Sequence, residues 1–217
     1  MNEQQQSLQD IQQIKQMMER SSRFISLSGL SGVAAGLCAL VGAWFANGVI
    51  EANGGPSSYR EAIYSGIGAE SVQEFMGHKL FQIAAFTFLG AFIFSFLFTY
   101  LRSKKNKIPL WGTTSKRLLS NVAVPMLAGA VYLFKQMQFG NFGLIAPGCL
   151  IFYGLALVNA SKYTLGEVRY LGYCQILVGI INCWFVGYGL YFWAMGFGVL
   201  HIVYGVLMWY RYERNNG

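Results

Sequence analysis

Histidine is the side chain whose proton comes and goes near neutral pH, and this chain holds two, His78 and His201. His78 stands beside Lys79 at the head of an apolar run, whereas His201 lies inside one, between Gly198 and Gly205. All nine acidic residues fall outside the apolar cores, with only Glu167 approaching one. The mid-span carboxylate that pumps and proton-coupled transporters usually carry is therefore missing. Counted from Leu190 at 1.5 Å per residue, His201 lies about 16 Å below the head of its helix, near the centre of a bilayer. Gly198, His201 and Gly205 share a helical face, so small residues flank the imidazole. In the preceding apolar run Gly172, Gln175, Gly179 and Asn182 repeat at helical spacing as a stripe of glycine and amide. A short link between the two runs fixes their relative depth and is expected to bring Gln175 and Gly179 level with His201. Polar groups at that depth avoid lipid by facing other helices. Two roles are open to Gln175, Asn182 and His201: hydrogen-bonding glue between helices, or the lining of a polar pocket for a small solute.

Other catalytic constellations fail on spacing. There is no H-E-x-x-H zinc motif, no G-x-x-x-x-G-K-[ST] phosphate loop and no G-x-S-x-G nucleophile elbow. The four cysteines, Cys38, Cys149, Cys174 and Cys183, lie in apolar stretches without a C-x-x-C pair, which excludes a disulfide scaffold. A haem between His78 and His201 would need them at one depth, and they differ by about half the hydrocarbon thickness. The sequence leads to no catalytic residue, no metal and no cofactor, and an enzyme acting on lipid has no motif to support it.

The elements that must position these residues are membrane helices. Of the 217 residues 54% are hydrophobic and only 12% charged, about half the charge of an ordinary soluble domain. Apolar runs bounded by charge predict six spans, at 24–50, 79–101, 118–136, 143–160, 170–187 and 189–210. The runs are continuous rather than alternating, which excludes a closed barrel. The predicted fold is all-α: a polytopic membrane protein of three antiparallel hairpins. Residues 1–23 are expected to form a cytoplasmic amphipathic N-terminal helix, 24–210 the transmembrane domain and 211–217 a cytoplasmic tail. The net charge of +7 would suit a nucleic-acid binder. Of the 16 basic residues, however, all but Arg60, Lys79 and Lys135 fall at the ends of spans on one side. By the positive-inside rule that side is cytoplasmic and holds both termini, and nucleic acid is not a partner.

Several local signals refine the ends. Thr164 to Glu167 and Ser71 to Glu74 have the capping-box form, which starts the fifth and second helices, and Ser58 to Glu61 starts a short exterior helix. Pro125 is expected to kink the third span. Gly187, Tyr188 and Gly189 alone join the last two spans, which predicts a tight hairpin. Ser28, Gly32 and Gly36 recur every four residues, as in closely packed helices. Leu8, Ile11, Ile14 and Met18 give the N-terminal segment an apolar face on a neutral background, which suits packing on the body or a contact that builds a homo-oligomer.

Three stretches then resemble a known family: Ser21 to Gly32, Ala160 to Gly172, and Gly196 to Gly205. They are similar to an uncharacterised family of small six-span inner-membrane proteins found in Bacteroidetes. The resemblance implies a multi-pass protein of the bacterial inner membrane and brings no catalytic chemistry. A weaker similarity, in the last two spans, is to HdeD-like acid-resistance membrane proteins. The function expected is that of a non-enzymatic assembly or sensing component of the membrane; the alternative is a small-solute channel or transporter with a pocket between the fifth and sixth helices.

Overall fold

A computed structural model describes residues 28–65, 78–105, 111–212 and 214. The N-terminal segment and the Ser71–Glu74 signal lie outside them. The described residues form seven helices and no strand: α1 (Gly29–Ala52), α2 (Gly55–Ser65), α3 (Lys79–Lys105), α4 (Thr113–Gln138), α5 (Phe142–Ala160), α6 (Val168–Trp184) and α7 (Gly189–Tyr212). Five of them, α1, α3, α4, α5 and α7, are long and apolar enough to cross a membrane. With 17 residues, α6 stands at the short limit of the spanning range.

Punctuation in the sequence accounts for the ends. α1 starts after extended Ser28 and stops where Asn53 turns its amide back onto the carbonyl of Val49, at 2.7 Å. α2 begins at Gly55, three residues earlier than the Ser58 signal placed it, and the Ser58 hydroxyl instead donates to the carbonyl of Gly54, the residue just before the helix. Pro56 occupies the first turn, where its missing amide costs no helical bond. Pro125 sits inside α4, which runs unbroken from Thr113 to Gln138. α6 begins at Val168 rather than directly after Thr164; Glu167 takes the cap position without a side-chain cap bond, and its carboxylate meets α7 instead. At its other end α6 stops at Trp184, three residues short of the expected limit, because Gly187 at φ 88° turns the chain into α7.

Glycines set the packing. A methyl group added at Gly154 would lie 2.7 Å from the carbonyl oxygen of Gly172, and one at Gly172 would lie 2.8 Å from that of Gly154, so α5 and α6 touch backbone to backbone. α1 meets α7 likewise: a methyl at Gly36 would lie 2.6 Å from the oxygen of Gly198, and one at Gly205 would lie 2.6 Å from that of Gly29. On its other side α1 carries α3, where the Ser95 hydroxyl donates to the carbonyl of Ser31 at 3.1 Å. The backbones form two chains of neighbours, α3–α1–α7 and α4–α5–α6. They join where the first half of α7 lies against α5 and α6. The tight hairpin expected of the last two spans is thus confined to that region; beyond it the backbone of α7 runs along α1. The short link sets where α7 starts, and the glycine face of α1 sets where it goes.

Large apolar side chains lie outward on every long helix, among them Phe86, Phe92 and Phe96 on α3 and Leu127 and Val131 on α4. None of the most apolar 18-residue window of α3 is buried. At one end α2 covers the α6–α7 turn. The Tyr64 hydroxyl donates to the carbonyl of Val186 at 2.7 Å, and the Arg60 guanidinium lies 5.0 Å from the centre of the Tyr188 ring.

Candidate functional site

The middle of α7 is not an α-helix. Residues Ala194–Leu200 form a π segment, whose hydrogen bonds close over one residue more than an α turn. His201 follows Gly196 by five residues, the π spacing, so its ring lies over the Gly196 carbonyl. The Nδ1 atom is 3.0 Å from that oxygen. A carbonyl only accepts, so Nδ1 carries a hydrogen, and in the neutral ring Nε2 is then the acceptor. Nε2 accepts from the Tyr153 hydroxyl of α5 at 2.9 Å. A neutral imidazole satisfies both bonds in one tautomer, with its hydrogen on Nδ1. Rings enclose it, with the Tyr153 centroid 5.5 Å away and that of Phe197 6.1 Å away, both near stacked.

Gln175 completes the group from α6. Its amide nitrogen donates to the same Gly196 oxygen at 2.7 Å and lies 3.4 Å from His201 Nδ1. One carbonyl thus accepts from two side chains on two helices. The Gln175 oxygen, Oε1, is buried and meets no hydrogen-bond partner among the described residues. It faces Gly196, where an added methyl would lie 2.6 Å from it. Asn182, also fully buried, stands two turns away and donates to the carbonyl of Phe185 at 3.2 Å, while its Oδ1 is unpartnered.

The structure brings Gln175 and His201 together and leaves Asn182 apart. Gly179 faces α5, where an added methyl would lie 3.0 Å from the oxygen of Pro147. Gly198 and Gly205 face Gly36 and Gly29 of α1, and Gly32 packs on the same part of α7, while the imidazole points past that edge toward α5 and α6. Tyr153 was missed by sequence reasoning. Its signal was a phenol near the middle of an apolar run, a group that seeks a polar partner when buried.

A second polar cluster lies at the opposite end of α7 from the turn. The Tyr212 hydroxyl donates to Glu167 Oε1, and the Arg211 guanidinium lies 3.1 Å from the same oxygen. Tyr204 and Tyr212 pack with Leu157 against Leu165, Val168 and Met208. Between this cluster and His201 the Tyr204 hydroxyl is buried and unpartnered among the described residues. A cavity of about 370 Å³ lined by Trp44, Phe45, Asn47 and Lys79 shares no residue with either cluster.

Fold and site define the class: an all-helical protein with several helices fit for a bilayer, joined by a buried polar network. Comparison with protein-family models, curated proteins and solved structures gave no match.

Proposed function

We propose that the chain is a six-span protein of the bacterial inner membrane, with both termini in the cytoplasm, that acts without catalysis as an assembly or sensing component. The engagement of His201 carries this reading. At mid-span the His201 imidazole bonds Tyr153 of α5 and the Gly196 carbonyl of its own helix, which also accepts from Gln175 of α6, an arrangement that couples three helices to each other. The unequal distribution of basic residues supports the orientation. The exposed apolar girdle supports the bilayer, and the amphipathic N-terminal segment supports contact with a second copy. Orientation is tested in a cysteine-free background by labelling Ser57→Cys and Thr113→Cys in intact cells with an impermeant maleimide. Position 57 should react and position 113 should not, and the reverse pattern overturns the orientation. Assembly is tested by removing residues 1–20 and measuring mass in detergent; an unchanged mass defeats the assembly role.

A small-solute channel or transporter is the second reading. The buried, unpartnered oxygens of Gln175 and Asn182, two turns apart on one face of α6, favour it. Solute uptake by proteoliposomes that is lost in Gln175→Leu would support it.

A further inference from the structure

His201, Tyr204, Met208 and Tyr212 fall at i, i+3, i+7 and i+11, one stripe along α7. The stripe covers about 16 Å, half the hydrocarbon thickness of a bilayer. Every hydroxyl near it has a defined place. Tyr153 bonds His201 at the upper end, and Tyr212 bonds Glu167 at the lower. Tyr204 falls between the two pairs along the stripe and packs with Tyr212 and Leu157 on the same apolar cluster, and at the lower pair the Arg211 guanidinium faces Glu167 at 3.1 Å. The Tyr204 hydroxyl meets neither pair directly, so a bridge is needed on each side of it, toward Tyr153 and toward Tyr212. A buried hydroxyl without a direct partner calls for a water molecule, and a bridging water is nearly as good a hydrogen-bond partner as a protein group.

We propose that His201 exchanges protons with the Glu167 end of the bundle through a relay of Tyr212, Tyr204 and Tyr153, closed by internal water at the Tyr204 oxygen. A proton enters at the Glu167 carboxylate and moves along the hydroxyls. In the last step Tyr153 gives its O–H proton to His201 Nε2 and takes one from the Tyr204 side, so each hydroxyl is restored and the imidazole gains one positive charge. The imidazolium then donates from both nitrogens. Its Nδ1–H bond to Gly196 is kept, while Nε2–H points at the Tyr153 oxygen, whose own hydrogen must swing toward the water. Gln175 adds an acceptor to this surrounding, because its free Oε1 belongs to the amide whose nitrogen is 3.4 Å from Nδ1. From α1 the backbone of Gly32 and the apolar side chains of Val33 and Leu40 approach this part of α7, and these add no charge. The relay gives the sensing reading a chemical signal, the proton, and rests on that reading only for the side from which the signal comes.

The test uses the full chain in lipid nanodiscs with His78→Gln, so that His201 is the single histidine. Nitrogen-15 NMR of the ring reports the tautomer and, from exchange broadening of the Nε2 resonance, the rate at which Nε2 gains and loses a proton. Tyr204→Phe should slow exchange on the order of tenfold while the tautomer signature is kept, the result of removing one hydrogen-bonded station. An unchanged rate with an unchanged signature overturns the relay, as does a parent protein whose Nε2 shows no proton exchange. If Tyr204→Phe disturbs the signature, Glu167→Gln decides: slower exchange supports the relay and the parent rate refutes it. Both faces of a nanodisc meet the same buffer, so the outcome is independent of orientation and assembly. An inverted labelling pattern would leave the relay standing and remove only the direction of sensing.

Discussion

Gly172→Ala adds one methyl group at the contact between α5 and α6. The new carbon would lie 2.8 Å from the carbonyl oxygen of Gly154 and 2.9 Å from the amide nitrogen of Val158. Ordinary van der Waals separation is roughly 3.5 Å, so the helices must part by about 0.7 Å. The Val158 Cγ2 methyl also lies at 2.8 Å and can rotate away, but the other two obstacles are backbone and no rotamer change relieves them. A radial gap of that size forfeits about a quarter to a half of the dispersion energy of the atoms facing it, and overpacking of this kind costs about 1–3 kcal/mol. Alanine's better helix propensity returns at most about 1 kcal/mol. Gly90 of α3 is the control, because an added methyl there meets nothing within 4 Å. Gly90→Ala should therefore be neutral or stabilising by up to about 1 kcal/mol. Reversible unfolding in mixed detergent micelles gives the difference directly. A Gly172→Ala protein as stable as the parent, or a Gly90→Ala protein that loses as much, would refute the backbone contact.

Two other perturbations have signed outcomes. His201→Phe keeps the ring and leaves the Tyr153 hydroxyl without its acceptor, a loss of about 1–3 kcal/mol, whereas His201→Gln retains a donor and an acceptor and should cost less; thermal unfolding of the pair ranks them, and equal losses would count against hydrogen bonding as the cause. Burial raises the Tyr59 hydroxyl of α2 above its ordinary value of 10.0. The unfolded chain then loses this proton first, so stability is full below pH 10 and falls as pH rises through the folded value. Tyr59→Phe should flatten that alkaline decline in a denaturation series, and an unaltered decline would assign it to other groups.

Legibility in the sequence followed the range of the physics involved. The long apolar helices could be read because the cost of leaving apolar residues in water is local and additive along each run. The pairing of Gln175 with His201 could be read because a short link fixes depth. The partner of Ser28, Gly32 and Gly36 could not, since a small-residue face states that something comes close without stating what. Tyr153 lay beyond reach for a related reason: counting at 3.6 residues per turn does not foresee a π segment, and that segment aims His201 at α5. Glu167 shows how a local motif loses to a distant one. Its spacing from Thr164 suited a cap, but Tyr212 and Arg211 of α7 hold its carboxylate.

The π segment also bears on how this chain can change length. One residue added to an α-helix turns everything beyond it by about 100°, which would swing a packed face toward lipid. Within Ala194–Leu200 the extra residue is absorbed in a wider turn. Deleting a single residue there would tighten the turn to α pitch, bring the histidine to the fourth position after Gly196, and leave Gly205 still facing α1. This stretch of α7 is the place where a one-residue insertion or deletion can pass through the lineage without re-facing the half of the helix that follows.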